Sequence, residues 1–355
     1  MELFTPVELP ETGLKIDYTK KLAFFGSCFA DNISAQFAQR KFCTFANPFG
    51  TVYNPLSIAR QIRAIAEGKV FGEADVFQDG RESLGTSEAE AGKAGGEACG
   101  LWHCWDAHSS LSAHTRGECI DKLNAAATQT RDFLQKADVV FVTLGTAFVY
   151  FLNASGSTAG GRVVANCHRQ DPKLFTRRMV SVDEATEALA HIVSDLHRLS
   201  PAAKIVFTVS PLRHMADGAH QNSLSKATLM LAIEKVAKCG AEIATSPSAP
   251  RNDIAEYFPS YEIVMDELRD YRFYDSDMVH LSETAEEYIF EHMVDTYCSE
   301  TTKANIAKVE KFLKMANHRI ADSASPATAE FQKKLAAQAA SLEKLIPGLV
   351  LNTKN

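Results

Sequence analysis

Leu22-Ala23-Phe24-Phe25 runs straight into Gly26-Ser27 and then into a helical pattern, and this junction restricts the fold more than any other stretch of the chain. Apolar residues in succession, bounded by Lys20-Lys21 on one side and Gly26-Ser27 on the other, read as a short strand buried on both faces. From Ala30 to Arg40 the apolar positions Ile33 and Phe37, with the small Ala30, Ala35 and Ala38, recur at roughly helical spacing. The chain therefore turns from strand to helix at Ser27. Such a turn lifts the serine hydroxyl off the C-terminal edge of a sheet and leaves first-turn N–H groups without acceptors, ready for an oxyanion. Ser27 in this place is either a helix N-cap or a nucleophile, and the junction alone does not choose between them.

The same rhythm continues downstream. Phe42 to Phe45 reads as a second short strand, the loop Asn47-Pro48-Phe49-Gly50 to Asn54-Pro55 follows, and Leu56 to Glu67 reads as a helix. Cys119 to Leu134 forms another helix. Ala137 to Leu144 is the clearest strand, nearly continuous in β-formers, and ends at Gly145-Thr146-Ala147. A hairpin-like extension follows from Val149 to Val164, then an amphipathic helix from Val182 to Leu199 and a buried strand from Lys204 to Ser210. Further elements are a helix from Ser223 to Cys239, a strand from Tyr261 to Met265 and a helix from Glu283 to Tyr297. Alternating helices and buried strands predict an α/β fold with a parallel sheet.

Residues 68 to 118 break this rhythm and are expected to form an insertion over the sheet's C-terminal edge, because irregular stretches of that length usually serve a site. They hold both tryptophans, Trp102 and Trp105, beside His103, Cys104 and His108. Those side chains and His114 fit no standard metal-ligand spacing, so no metal and no cofactor is expected. The expected organisation is one domain over residues 1–300 carrying this insertion, followed by a helical extension over 301–355. The extension alternates apolar and Lys/Glu positions, which leaves open whether it packs on the sheet or mediates homo-oligomer contacts.

Composition excludes several classes of function. A net charge of -7, with no basic cluster, argues against a nucleic-acid surface. No run approaches the about 20 apolar residues of a bilayer span, and Met1 to Asp17 lacks the basic start and apolar core of a leader, so the expected location is the cytoplasm. The 8 cysteines include no CxxC pair and predict neither a zinc ribbon nor a disulfide framework.

Asp277-x-x-His280, just before the helix at Glu283, is the second half of a possible catalytic unit. An aspartate at that spacing can hold one ring nitrogen while the other faces a serine, which fixes the tautomer and stabilises the imidazolium. The stretch Ser210-Pro211-Leu212-Arg213-His214 lies just past a strand's C-terminal end, where α/β proteins place ligands.

Gly26-Ser27-Cys28-Phe29-Ala30, Asn47-Pro48-Phe49-Gly50, Leu144-Gly145-Thr146-Ala147, Ser210 to His214 and Tyr257 through Arg272 together resemble the GSCFA family, which looks like a branch of the SGNH (GDSL-like) hydrolases. The resemblance runs from about Phe24 to Ser282. It implies a three-layer α/β/α, flavodoxin-like fold and a serine esterase or acyltransferase acting on a small polar or carbohydrate ester. It implies Ser27 as nucleophile, His280 as base, Asp277 as its orienting partner and Gly50 as a backbone oxyanion donor. The third motif departs from the group's Gly-x-Asn-Asp: Ala147 stands in place of the asparagine. Thr146, Asn47, Asn54, Asn166 and His214 are the groups that could replace its hydrogen bond, and Thr146 is taken with Gly50 as the expected oxyanion pair. Cys28 is expected to pack away from the site. The substrate pocket is placed between Ser27, the Trp102 to His108 segment and Arg213-His214, with Trp105, His108, Arg213 and His214 contacting substrate. A non-catalytic binding or scaffold protein is the alternative, and Ala147 is its best support.

Overall fold

The computed structural model describes residues 5–79, 100–154, 157–243, 255–317 and 326–351. A parallel sheet is assembled from β1 (Lys21–Gly26), β2 (Cys43–Ala46), β5 (Val139–Leu144), β9 (Lys204–Val209) and β10 (Glu256–Phe258), in the order β10-β9-β5-β1-β2. Counting only these strands along the chain, the order is the doubly wound one of flavodoxin-like folds, with β1 at the point where the winding reverses. The expected α/β fold is thus observed.

Side-chain alternation builds the layers. Ala23, Phe25, Val140, Val142, Ile205 and Phe207 face one core, against α2 (Pro55–Glu67), α3 (Arg116–Leu134), α4 (Val182–Leu199) and α5 (Ala219–Ile243). Leu22, Phe24, Val139, Phe141 and Val206 face the other, against α1 (Cys28–Gln39), α6 (Glu283–Tyr297), α7 (Glu300–Ala316) and α8 (Pro326–Leu345). Odd and even positions of one strand serve opposite cores, which is why these strands read as continuous apolar runs. Phe24 and Phe141, paired across β1 and β5, stack with ring centroids 4.9 Å apart.

Two other sheets stand among the described residues. β3 (Phe77–Gln78) and β4 (Trp102–His103) pair antiparallel within the segment read as an insertion, of which residues 80–99 lie outside the described residues. β6 (Phe148–Ala154), β7 (Ser157–Val164) and β8 (Phe175–Met179) form an antiparallel sheet in the order β7-β6-β8, leaving the end of β5 directly.

One expected element is wrong. Tyr261 to Met265 is not a strand: Ser260–Glu262 is helical and continues into a π turn over Ile263–Glu267, while the edge strand is Glu256–Phe258 just before it. Pro259 ends that strand because it has no N–H for a ladder, and Ile263 and Val264 are buried on a helical turn rather than on a pleat. Among the described residues no helix is long and apolar enough to cross a membrane.

Candidate active site

The sheet's C-terminal edge gathers Ser27 after β1, Gly145-Thr146 after β5 and Ser210 after β9. Gly26 makes the first turn possible: its φ is +128°, and a Cβ there would stand 2.0 Å from the Thr143 carbonyl oxygen. Asn47 braces the turn by accepting the Gly26 N–H at 2.8 Å, and its own amide donates to Asp31 at 2.9 Å. Ser27 is the N-cap residue of α1, yet its side chain makes no cap hydrogen bond. Its Oγ is buried and has no hydrogen-bond partner among the described residues. A buried hydroxyl without a partner costs about 1–3 kcal/mol, which a plain cap would avoid.

Ser27 opens onto a cavity of about 520 Å³ lined also by Cys28, Tyr53, Asn54, Thr146, Arg177, Ser210, Arg213, His214 and His280. His280 Nδ1 stands 2.5 Å from Asp277 Oδ2, and Asp277 Oδ1 also accepts the His280 backbone N–H at 2.8 Å. These bonds, the imidazole's first, hold the Asp277 carboxyl down to about 2. Ser27 and His280, distant in sequence, therefore share one cavity, with an imidazole whose far nitrogen has no hydrogen-bond partner among the described residues.

A family model for the GSCFA family matches residues 21–293. The chain belongs to the GSCFA family. The matched span holds the whole parallel sheet, every residue that lines the cavity and the Asp277–His280 loop of this GSCFA protein. Two solved structures overlap parts of it. A carbohydrate esterase family 2 enzyme from Corynascus thermopiles (Myceliophthora fergusii) is 16% identical at TM-score 0.26, covering 49% of this chain and 38% of that one. The acetyl xylan esterase Est2A from the rumen bacterium Butyrivibrio proteoclasticus is 17% identical at TM-score 0.26, covering 45% of this chain and 36% of its own. Curated proteins give no match.

Several expected contributors stand elsewhere. The Gly50 N–H donates to the Asn47 carbonyl at 2.7 Å, closing a tight turn, so it has no free N–H to offer. Thr146 lines the cavity, but its N–H donates to the Tyr53 carbonyl at 3.0 Å and its hydroxyl is engaged with Ser225 Oγ at 3.1 Å. Trp105 and His108 do not line the cavity. Trp105 stacks on Phe77 at 3.7 Å, and His108 caps a 3-10 turn with its backbone N–H on the Phe49 carbonyl at 2.8 Å. Trp102 lies under Arg116 at 4.8 Å. Both tryptophans thus serve the packing of the inserted segment.

The outer wall comes instead from the β7-β6-β8 sheet, through Phe148, Tyr150, Val164 and Arg177. Arg177 pairs with Asp217 at 2.5 Å and lies over Phe148 at 4.3 Å. Arg213 and His214 line the cavity as expected. Cys28, expected to pack away, lines it too; burial pushes its thiol up, which keeps it neutral and poorly nucleophilic.

Ala147 is fully buried, with its N–H donated to Ser225 Oγ at 2.7 Å, so no side chain reaches the cavity from that position. The N–H groups of Cys28 and Phe29, in the first turn of α1, have no backbone acceptor among the described residues and face the Cys28 thiol, a weak acceptor. Asn54 accepts the Ser57 N–H through Oδ1 at 2.9 Å, while its Nδ2 has no partner among the described residues.

Lys226 is the residue that pattern reading missed. It lies on α5, 1% exposed, and donates from Nζ to the Gly145 and Ser210 carbonyls at 2.6 Å each. Burial lowers it to about 7, and its charge joins burial in lowering His214 to about 4. A lysine between Ser225 and Ala227 on a helix looks like a solvated position, and only the tertiary structure turns it inward.

Proposed function

We propose that this GSCFA protein is a serine esterase or acyltransferase of SGNH type, working through an acyl-Ser27 intermediate on a small polar or carbohydrate ester. The observation that carries this reading is the shared cavity at the sheet's C-terminal edge, lined both by Ser27, whose buried Oγ has no hydrogen-bond partner among the described residues, and by the Asp277-held His280.

Ser27 Oγ attacks the ester carbonyl carbon while its proton passes to His280 Nε2, and Asp277 accepts the hydrogen bond of Nδ1–H and stabilises the imidazolium. The carbonyl π pair moves onto oxygen. Donors for that oxyanion are the first-turn N–H groups of Cys28 and Phe29, aided by the helix dipole, and Asn54 Nδ2. Collapse breaks the bond to the leaving alcohol, which takes the proton from His280 and leaves acyl-Ser27. Water then attacks the acyl group in hydrolysis, or a second alcohol in transfer, giving its proton to His280, which passes it to Ser27 Oγ as the acyl–Oγ bond breaks. A neutral His214 suits this site because a second imidazolium would repel the one formed on His280.

A fluorophosphonate probe and a short-chain aryl ester test the reading. The expected result is a covalent adduct mapped to Ser27, with Ser27→Ala and His280→Ala abolishing turnover and Asp277→Asn doing less damage. Ala147 favours a second reading, a binding protein that has kept the fold without efficient chemistry. Folded wild-type protein that neither labels nor turns over ester would support that one.

A further inference from the structure

Asp277 and His280 sit on a loop whose own bonds are local. Asp277 Oδ1 accepts the N–H groups of Val279 and His280 at 2.8 Å each, and the Met278 N–H donates to the Asp275 carbonyl at 2.9 Å. The Asp275 N–H donates to the His280 carbonyl at 2.8 Å, and below it the Ser282 N–H donates to the Phe273 carbonyl at 2.9 Å. These bonds fix the shape of the loop but not its distance from Ser27.

Packing does little to hold it. The Asp277 and His280 side chains are 49% and 55% exposed, and Met278 is exposed at the tip. Met278 also holds a φ of +59°, a conformation that a non-glycine residue keeps only where its surroundings impose it.

Among the described residues, one hydrogen bond reaches residues 275–280 from outside their own hairpin. Arg213 donates to it from Nη2, onto the Met278 carbonyl. The guanidinium also lies over Tyr274 at 4.8 Å and Tyr271 at 5.6 Å, the residues that lead into the loop. Its other end is fixed. Ser210 donates its N–H to the Leu144 carbonyl at 2.8 Å, the Ser210 carbonyl accepts Lys226 Nζ at 2.6 Å, Leu212 is buried, and the His214 N–H donates to Asn222 at 3.0 Å. Arg213 therefore spans from the rigid end of β9 to an exposed loop with little other support.

We propose that Arg213 is a positioning residue that ties the Asp277–His280 loop to the end of β9 and so sets the imidazole against Ser27, rather than a residue that binds substrate. The proposal rests on reading Ser27 and His280 as nucleophile and base. A planar guanidinium suits the task because it can donate edge-on to a carbonyl while stacking its face on tyrosine, which an ammonium does less well.

The test compares wild type with Arg213→Met, which keeps most of the stem, and Arg213→Lys, which keeps the charge. On a short-chain aryl ester, kcat is expected to fall about 10- to 100-fold in Arg213→Met with KM unchanged, because displacing a base by an ångström or so carries that penalty. Arg213→Lys is expected to recover part of the loss. A raised KM with kcat retained would assign Arg213 to substrate and overturn the proposal, as would no change in either constant. Amide hydrogen exchange over residues 275–282 gives a readout that needs no turnover: faster exchange in folded Arg213→Met supports the tether, and an unchanged rate overturns it. If wild type neither labels at Ser27 nor turns over ester, the reading of the site fails, and the exchange measurement still decides the tether. Should Arg213→Met not fold, the same two measurements are made on Arg213→Lys against wild type.

Discussion

Lys226 is a buried cation with no charged partner among the described residues. An ammonium taken out of water loses several kcal/mol of hydration, and here the Gly145 and Ser210 carbonyl oxygens take the place of water. Its proton is therefore held less tightly than in the unfolded chain, with a value of about 7 against an ordinary 10.5. The sign follows from proton binding. Below about 7 both states carry the proton and the folded state bears the full burial cost; between about 7 and 10.5 the unfolded state alone is protonated, so stability rises with pH. Buried tyrosines such as Tyr257 and Tyr297, raised by burial, act in the opposite sense at higher pH. The difference between wild type and Lys226→Met cancels them. Urea unfolding of the pair from pH 6 to pH 10 is expected to show the wild type gaining on the variant as pH rises. A difference that stays flat across that range would mean that Lys226 titrates normally.

At the scale of elements, α4 shows how local chemistry positions a distant wall. Ser181 caps the helix by accepting the Glu184 N–H at 3.1 Å, and Glu184 accepts the Ser181 N–H at 2.8 Å, a reciprocal capping box. Arg178 of β8 grips the same carboxylate, and this bond first, then the Ser181 N–H, lowers Glu184 to about 2. Ser181→Ala is expected to cost about 1 kcal/mol in denaturant unfolding. That loss should shrink as the pH falls from the ordinary carboxylate range toward 2, because a depressed acid stabilises only while ionised; a cost that is the same at pH 3 and pH 7 would separate the cap from the charge. Such signals are legible in sequence, as are β1, β5 and β9, whose apolar runs are long enough to have a pattern. β8 is not, because Phe175-Thr176-Arg177-Arg178-Met179 carries two arginines on an edge strand and shows no buried face. β10 is three residues long, too short for any period, and the apolar run just after it follows a π turn instead. The motifs singled out Ser27 and His280, and the structure lines one cavity with both. They could not place the cavity wall, since the tryptophans that marked an aromatic lid are taken up in packing, Trp105 against Phe77 and Phe175 and Trp102 under Arg116.

For the whole molecule, the decisive question is whether the terminal helices belong to the core. Ile306, Val309, Phe312, Ala339, Ile346, Leu349 and Leu351 are buried in the same cluster as Phe24, Phe37 and Phe290. Arg40 joins α1 to α6 and α7: it bonds Glu287, reaches Glu310 at 2.6 Å and lies over Phe290 at 4.1 Å. Near the other end, Ile16 donates its N–H to the Tyr297 carbonyl at 2.7 Å, and Gly348 turns so close to the N-terminal arm that a Cβ would stand 2.4 Å from the Tyr18 carbonyl oxygen. Fully burying a large aliphatic or aromatic side chain is worth about 1.5–3 kcal/mol, so exposing this group together costs as much as the about 5–15 kcal/mol by which a domain is usually stable. The residue boundary at 300 that composition suggested is therefore proposed to be no boundary in folding. A chain ending at Ser299 is expected to be insoluble or to lack a cooperative thermal transition, whereas the full chain melts in one step with the sheet. If the shortened chain instead stayed soluble, melted cooperatively near the wild-type temperature and still reacted at Ser27, the helices would be an appendage and the second core would have to be closed by α1 and α6 alone.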